Sequence, residues 1–452
     1  MKKKAIDDFL AKKISIGVTG FSRAGKTVFI GSLVQALLTA DAYKGKRGQG
    51  PLAGFGPFDR GTFLGARIRD DLNSAAPHFP FRRVRDALYG EDPHWPERTE
   101  ELSRLIMDLI IQDKKKKKFG LPNPNVQIEI VDYPGEWLVD LPMLDTEYHH
   151  WSSSLIERAV EGQRKHFSRR FFDLINSFPP ADSFDEELAE KLADAWRTHL
   201  SEAANQGLVF NQPGRLLRPG THINSPVLRL VPLPESWSDS GFYKGMTKRY
   251  KEYRRKIIKP FYKKHFSRID RQIVLVDLLH ALSRGKDAFN EMGDALGATL
   301  KSFDYGNGGV LDRLMGNRTS HVLFAATKAD HVTRQDRSNL RVLLENILLL
   351  FDDSAVIRAT SAKIEFMALA SIRATKDERT DADPKRQILK GQRKGKDQFW
   401  HWDPGELPLD LPPDWNNLYF EFMEFEPPQN KLARKEGFPA INLGKTLDFL
   451  ID

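Results

Sequence analysis

Gly20-Phe21-Ser22-Arg23-Ala24-Gly25-Lys26-Thr27 is the stretch that decides the fold of this chain of 452 residues. An apolar run that alternates from Ile14 to Val18 precedes it, and apolar residues at helical spacing follow it from Val28 to Leu38. The first pattern predicts a β-strand and the second an amphipathic α-helix. A glycine-rich turn between a strand and a helix, ending in Gly-Lys-Thr, is typical of a phosphate-binding P-loop.

The residue types in this loop suit a phosphate anion. Gly20 and Gly25 let backbone N–H groups turn toward phosphate oxygens, and the helix that follows points the positive end of its dipole at the same place. Lys26 is expected to reach the β- and γ-phosphates, and the Thr27 hydroxyl to bind Mg²⁺. A plain glycine turn leading into a core helix is the alternative. The predicted phosphate-binding residues are Gly20, Ser22, Arg23, Ala24, Gly25, Lys26, Thr27 and Val28.

Composition is that of a soluble globular protein with two or three domains. Hydrophobic residues make up 40% of the chain, charged residues 29%, and the net charge is +8. No apolar run is long enough to cross a bilayer. The absence of cysteine excludes disulfides and thiolate metal sites, and it favours a cytoplasmic location.

A second motif, Val131-Asp132-Tyr133-Pro134-Gly135-Glu136, ends the alternating strand pattern of residues 126–130. An aspartate at a strand tip with a glycine three residues later is typical of the sensor of Mg²⁺ and γ-phosphate in switch NTPases. Asp132 is expected to hold the metal, through water, and the Gly135 N–H to contact the γ-phosphate. Taken in isolation, the motif is also compatible with a strand that ends in a Pro-Gly turn.

The remaining chain alternates between helical and strand-like segments. Glycine and proline from Asp41 to Glu97 indicate an expanded loop, and residues 102–111 predict a strand that forms a hairpin with the strand before Asp132. Apolar strands at 273–277, 322–326 and 356–360 alternate with helices, which predicts a doubly wound, mostly parallel α/β sheet with ligands at its carboxyl edge.

Lys244 to Arg268 is strongly basic, with aromatic residues interleaved. This segment is compatible with a surface that binds nucleic acid or an anionic membrane. Binding to a membrane would add a peripheral membrane location to the cytoplasmic one. A solvated helix face whose aromatic side chains pack inward is the favoured interpretation.

Thr327-Lys328-Ala329-Asp330 resembles the [Asn/Thr]-Lys-x-Asp motif of Ras-like GTPases, and Ser361-Ala362-Lys363 resembles their Ser-Ala-Lys motif. An ionised Asp330 would accept hydrogen bonds from N1–H and the 2-amino group of guanine, a pair of donors that adenine lacks. The Lys328 stem would lie against the base, and the Ala362 N–H would meet the guanine carbonyl oxygen.

The P-loop, the Asp132 motif with a large insertion after it, and Phe-Ala-Ala-Thr-Lys-Ala-Asp-His together resemble the YcjX family of bacterial stress-inducible P-loop GTPases. The resemblance covers nearly the whole chain. It implies a Ras-like nucleotide-binding fold, GTP or GDP and Mg²⁺ as ligands, GTP hydrolysis, a stress-related switch and an unidentified protein effector. The implied domains are a GTPase core at 1–136 with an expanded switch loop, a helical insertion at 137–268, the second part of the core at 269–365, and a partly β appendage at 366–452.

Two positions depart from the Ras pattern. Glu136 stands where Ras-like enzymes carry the glutamine that orients the attacking water, and glutamate cannot donate as an amide does. The threonine that closes over Mg²⁺ is expected at Thr99, with Thr62 as the competitor. Arg98 is a candidate arginine finger and Trp95 a candidate cover for the nucleotide. The alternatives are a capping threonine, a surface arginine and a core tryptophan.

A binding module with a structural guanine nucleotide, working through the basic segment, is the alternative from another functional class. Binding of nucleic acid or anionic lipid that depends on salt and ignores the difference between GTP and GDP would favour it. A third interpretation is an ATPase, but Asp330 favours guanine over adenine.

Lys26→Ala should abolish tight triphosphate binding, because no other residue can replace a fixed ammonium at the bridging oxygens. Titration of the variant with a fluorescent GTP analogue measures the loss. Affinity equal to that of the parent would contradict the assignment of the P-loop.

Overall fold

The computed structural model describes residues 12–46, 48–69, 77–97, 101–112, 125–303, 319–351, 362–380, 385–410, 414–415, 420–430 and 432–452. Its strands are β1 (Lys12–Gly20), β2 (Phe63–Arg69), β3 (Ser103–Ile111), β4 (Asn125–Asp132), β5 (Arg271–Val276), β6 (His321–Ala326), β7 (Lys363–Ala368), β8 (Thr375–Arg379), β9 (Gln387–Gln392) and β10 (Phe399–Trp402).

Helices account for most of the remaining described structure. The α-helices are α1 (Lys26–Leu38), α2 (Gly56–Asp59), α3 (Phe81–Tyr89), α4 (Tyr148–Val160), α5 (Arg164–Asn176), α6 (Glu186–Asn205), α7 (Gly214–Leu217), α8 (Gly241–Tyr253), α9 (Lys259–Lys264), α10 (Leu278–Ser283), α11 (Lys286–Phe303), α12 (Arg337–Phe351), α13 (Ala433–Glu436) and α14 (Leu443–Ile451). A π-helical turn joins α8 to α9. In the described part of the chain, no helix is both long and apolar enough to span a bilayer.

Seven strands form one sheet in the order β2-β3-β4-β1-β5-β6-β7. β1 lies between β4 and β5 and pairs with both in parallel, and β6 and β7 continue the parallel arrangement. β3 pairs antiparallel with β4 as the predicted hairpin, and with β2 on its other side. The predicted doubly wound, mostly parallel α/β sheet is confirmed.

The two faces of this sheet bury two separate hydrophobic cores. Along β5, Val274 and Val276 point into the first core, whereas Ile273 and Leu275 point into the second. A strand buried on both faces carries apolar residues on both, which explains why Ile273 to Val276 form an unbroken apolar run. The first core is shared with the helices that follow β4, and the second with α1, α3 and α14.

A buried ion pair joins the helices after β4 to the core. Arg164 on α5 donates from Nη2 to Oε2 of Glu291 on α11 over 2.8 Å, and also to the carbonyl of Phe210 over 2.8 Å. Leaving one partner of a buried ion pair without the other is strongly destabilising, so the pair holds α5 and α11 in register.

The segment predicted as an expanded switch loop is largely ordered around the core. It contains α2, β2 and α3, and Leu52 and Phe55 are buried with α14 in the second core. The glycines permit this tight packing: a Cβ added at Gly31 of α1 would lie 2.5 Å from Val84 of α3. Most of the segment's other described residues lie in turns and loops, as the glycines and prolines predicted, but β2 and α3 were not predicted from the sequence.

The chain after residue 366 forms the predicted partly β region, a three-stranded antiparallel sheet in the order β10-β9-β8. It does not behave as a separate appendage throughout, since α14 packs into the second core through Leu443, Leu447 and Leu450. Thr446 on the same helix contacts Met367 of β7. The division at residues 136, 268 and 365 into domains stays a prediction.

Leu447→Ala should destabilise the whole protein by about 2–5 kcal/mol, because it opens a cavity in a core that α1, the helix after the P-loop, shares. Leu349→Ala is the matched control, since that leucine is 46% exposed on α12. Thermal unfolding of both variants measures the effect. Equal midpoints would show that α14 is not part of the folding core.

Candidate functional site

The P-loop connects the carboxyl end of β1 to α1 in a backbone conformation that its sequence permits. Gly25 has a φ of 82° and Arg23 a φ of 72°, both left-handed. This conformation costs glycine nothing and is uncommon elsewhere. The Lys26 ammonium donates to the Gly20 carbonyl over 2.8 Å, so its side chain folds back across the loop. The lysine is thereby held above the first turn of α1, where a phosphate would lie.

One cavity collects most of the predicted site residues. It is bounded by the P-loop, the turn after β4, the loops after β6 and β7, and parts of the C-terminal region. Its lining includes Ser22, Arg23, Ala24, Gly25, Lys26, Thr27, Val28, Trp95, Pro134, Glu136, Arg218, Thr327, Lys328, Asp330, Ser371, Lys394, Glu424 and Phe425. The cavity lies at the carboxyl ends of parallel strands, where ligands of doubly wound sheets bind.

Thr27 and Asp132 offer a donor set suited to Mg²⁺. Thr27 is buried at the start of α1, and Asp132 is buried at the tip of β4, in register with Val18 of β1. A hydroxyl and a carboxylate are hard oxygen ligands, and Mg²⁺ keeps most of its other positions for water and phosphate. Among the described residues, no group of three or more His, Cys, Asp and Glu side chains could hold a metal.

Gly135 lies directly against the P-loop backbone. A Cβ at this position would come within 2.8 Å of the Gly20 carbonyl carbon and 3.0 Å of the Phe21 nitrogen. No other residue type allows this approach. The turn Gly135–Trp137 is therefore placed beside the phosphate site, as the predicted contact of Gly135 with a γ-phosphate requires.

Glu136 is buried at the end of the cavity formed by the P-loop and Pro134. Arg218 lies beside it, with its Nε 3.9 Å from the Oε1 of Glu136. Arg218 belongs to the helical region after β4, and the sequence patterns did not identify it. It follows a short helix and carries no motif, so no signal along the chain could have found it.

Asp140 fastens the helical region to the turn after β4. Both of its carboxylate oxygens accept from the Gly214 N–H, at 2.9 and 3.0 Å, and Oδ2 accepts from the Tyr253 hydroxyl over 2.6 Å. Burial raises the pKa of Asp140 to about 7, although Tyr253, Gly214 and the charge of Arg215 act in the opposite direction. Asp140 thus fixes the start of α7, which precedes Arg218.

The Thr-Lys-Ala-Asp motif follows β6 and forms the other end of the cavity. Lys328 has a φ of 59°, and its ammonium donates to Oδ2 of Asp277 over 2.6 Å. Asp330 is buried, and its Oδ2 accepts from the Ala374 N–H over 2.8 Å. This bond fixes the carboxylate while leaving acceptor capacity on Oδ1, which is the capacity that guanine recognition needs. Thr327 donates from Oγ1 to the Val276 carbonyl over 3.2 Å.

The predicted roles of Ala362 and Lys363 are wrong. The motif comes before β7 instead of after it, and Lys363 pairs with His321 at the amino end of β6. That end is the opposite edge of the sheet from the P-loop, and Lys363 lies there beside Asp452. Ser361 and the strand predicted at residues 356–360 lie outside the described residues.

The loop after β7 takes the position that was assigned to the Ser-Ala-Lys motif. Ala370, Ser371 and Ile372 line the cavity, and the Ala329 N–H donates to the Leu369 carbonyl over 3.1 Å, which joins this loop to the Thr-Lys-Ala-Asp motif. The alternation of apolar Ile364 and Phe366, followed by small residues, could have identified β7 and the loop after it from the sequence. The close match to Ser-Ala-Lys obscured it.

The C-terminal region closes the same cavity, which no motif had indicated. Glu424 pairs with Arg23 of the P-loop and accepts from Lys394 over 2.7 Å. Burial raises the pKa of Glu424, but the hydrogen bond from Lys394 and the charge of Arg23 outweigh it and lower that pKa to about 2. Trp95 donates from Nε1 to the Phe425 carbonyl over 2.8 Å, so the predicted cover residue meets the C-terminal region here.

Of the other switch candidates, Arg98 and Thr99 lie outside the described residues. Thr62 is described and cannot be the metal-binding threonine. It donates to the Pro57 carbonyl over 3.1 Å just before β2, whose first residue pairs with Ile111 at the far end of β3. Because β3 runs antiparallel to β4, that end is remote from Asp132.

The basic segment Lys244 to Arg268 spans α8, the π-helical turn and α9. Its aromatic side chains are buried: Phe261 and Tyr262 are in the first core, as are Tyr243, Tyr250 and Tyr253. They are therefore not exposed for stacking on bases, and Arg255 and Lys256 both pair with Glu252. This arrangement supports the interpretation as a solvated helix face. Contact with nucleic acid or anionic membrane stays a prediction.

Asp140→Asn should change how the stability of the protein depends on pH. A carboxyl whose pKa rises on folding to about 7 binds its proton more tightly in the folded chain, so the parent loses stability as the pH rises from about 4 to about 7. Asparagine has no proton to lose. We therefore expect the stability of the variant to lack this decrease with rising pH. Its altered hydrogen bonds should lower the stability by the same amount at every pH.

Thermal midpoints of the parent and the variant across this pH range measure the difference. Asp145→Asn is the matched control, because Asp145 is exposed five residues away. Parallel curves for the parent and Asp140→Asn would contradict the assignment of a raised pKa to Asp140.

Comparison with known proteins agrees with this geometry. A model of the YcjX-like family, DUF463, matches residues 14–452. The chain is 35% identical over 463 aligned positions to the Ras-like GTPase YcjX of Shewanella oneidensis, covering 97% of this chain and 94% of that protein. It is 34% identical over 455 positions to the Ras-like GTPase YcjX of Escherichia coli, covering 97% and 95%. Because the match extends over nearly the whole chain and includes the P-loop and the cavity it lines, this protein belongs to the YcjX-like family.

Proposed function

We propose that the chain binds and hydrolyses GTP as a molecular switch, using Mg²⁺ at the P-loop. The observation that carries the proposal is that Lys26 and Asp330 line one cavity, although more than 300 residues separate them along the chain (330 − 26 = 304). The first residue suits a phosphate and the second suits guanine. The names of both relatives, Ras-like GTPase, support the same activity.

The phosphates would lie on the backbone N–H groups at the start of α1, with the Lys26 ammonium at the β- and γ-phosphate oxygens. Thr27 and Asp132 would hold Mg²⁺, which neutralises charge on the β- and γ-phosphates. The Gly135 N–H would meet the γ-phosphate from the turn that packs on Gly20. Loss of that phosphate would release the contact, and the turn would then report which nucleotide is bound.

Glu136 would orient the attacking water at the γ-phosphate end of the cavity. A carboxylate accepts a hydrogen bond from water but cannot donate one back to the phosphate, as the glutamine of Ras-like enzymes does. We therefore expect unassisted hydrolysis to be slow. A cytoplasmic location, a role under stress and a protein effector stay predictions from the sequence.

The base would lie between Asp330, the stem of Lys328 and the loop from Ala370 to Ile372. Asp330 accepts from Ala374 through Oδ2, so Oδ1 is the acceptor directed to N1–H and the 2-amino group. Ala370 to Ile372, which line the cavity, would take the place of Ala362 beside the guanine carbonyl oxygen. Trp95 and Phe425 would close the outer side.

Asp330→Asn should switch the preference of the protein from GTP to xanthosine triphosphate. The asparagine carbonyl would keep the bond to Ala374, and its amide would then face the base as a donor. That donor opposes N1–H of guanine but matches the 2-carbonyl of xanthine. Each mismatched buried polar group costs about 1–3 kcal/mol, so guanine affinity should fall about tenfold or more.

Competition titrations with GDP, XDP and ADP measure these preferences. Glu345→Gln is the matched control, because Glu345 lies on the surface of α12 and pairs with Arg341. Retention of guanine preference by Asp330→Asn, or equal affinity of the parent for ADP and GDP, would show that Asp330 does not recognise the base.

A further inference from the structure

Arg218 lines the cavity beside Glu136, at the end where we place the γ-phosphate. The P-loop contributes Lys26 there, while Arg23 is paired with Glu424 of the C-terminal region. Arg218 lines the same cavity, and its Nε lies 3.9 Å from Oε1 of Glu136. Its side chain keeps 24% exposure, so the guanidinium is held at the edge of the cavity and not in the core.

The backbone that carries Arg218 is fixed to the turn after β4 by several contacts. The Trp137 indole donates from Nε1 to the Arg218 carbonyl over 3.1 Å, and the Arg215 guanidinium carbon lies 3.2 Å from the Trp137 ring centroid. Gly214 approaches the Glu136 carbonyl so closely that a Cβ would lie 1.9 Å from its oxygen. Residues 214–218 and 135–137 therefore hold one another in position.

This placement matches what hydrolysis of a phosphoric anhydride needs. Water oxygen bonds to the γ-phosphorus, the bond to the β-phosphate oxygen breaks and its electron pair stays with GDP, and the water protons leave with inorganic phosphate or solvent. Negative charge on the γ-oxygens and the leaving oxygen must be stabilised during this step. A guanidinium remains protonated at every working pH and offers several donors in one plane, which suits those oxygens.

We propose that Arg218 is a catalytic residue for GTP hydrolysis, supplied within the chain by the helical region after β4. Its guanidinium moves from the carboxylate of Glu136 onto the γ-phosphate oxygens in the transition state. Trp137 and Gly214 link this movement to the turn that holds Gly135. The inference rests on the proposed GTPase function, and it assigns to Arg218 the task that sequence patterns assigned to Arg98.

Arg218→Ala should slow single-turnover hydrolysis of GTP about a hundredfold or more, since an arginine in this position contributes about 10³–10⁵ to the rate in related reactions. GDP affinity should change less than about threefold, because GDP lacks the γ-phosphate. The variant should also fail to form a complex with GDP and aluminium fluoride, which imitates the transferred group. Arg229→Ala is the matched control: Arg229 lies in the same helical region and pairs with Glu186 and Glu190.

Five outcomes separate the possibilities. Slow hydrolysis and loss of the aluminium fluoride complex in Arg218→Ala, with GDP affinity and thermal midpoint kept and Arg229→Ala equal to the parent, support the inference. Parent-like hydrolysis in Arg218→Ala overturns it, as does the same defect appearing only in Arg98→Ala. Equal loss of GDP and GTP binding overturns it in favour of a structural task. Failure of the parent itself to bind GDP would contradict the proposed function, and the assignment of Arg218 would fall with it.

Discussion

The parallel pairing of β1 with β4 on one side and β5 on the other is the constraint on which the rest of the structure depends. Parallel neighbours bring their carboxyl ends to one edge of the sheet. The P-loop, Asp132 and Asp277 therefore meet at that edge, although they are far apart in the sequence. Residues 16–20 of β1 are also buried. The site and the core therefore cannot be altered independently at this strand.

Close backbone contacts connect that edge of the sheet to the helical region after β4. Gly135 packs against the backbone of the P-loop, and Gly214 packs against the backbone of Glu136, the residue after Gly135. Three chain segments are thus stacked in direct backbone contact. Asp140 holds Gly214 through a carboxylate whose pKa burial raises to about 7. Loss of a γ-phosphate beside Gly135 would displace the helical region or break these contacts, and this would give the proposed switch a physical route to the surface.

The C-terminal region contributes to both the core and the cavity. Leu447 packs in the same core as the P-loop helix α1, while Glu424 bridges Arg23 and Lys394 at the mouth of the cavity. A charged contact between the P-loop and a segment about 400 residues later (424 − 23 = 401) makes closure of the cavity depend on the end of the chain.

The sequence by itself determined the parts that depend on local chemistry. Gly20 to Thr27 specifies a strand, a turn and a helix within thirty residues, the unbroken apolar run of β5 requires burial on both faces, and Thr327 to Asp330 carries its own hydrogen-bonding pattern. Only the tertiary structure decided which edge of the sheet each loop reaches. It separated Lys363 from the site, brought Ala370 to Ile372 into it, and placed Arg218 beside Glu136. Such contacts join residues that are distant along the chain, and they arise from strand order and backbone approach, which no local pattern of residues encodes.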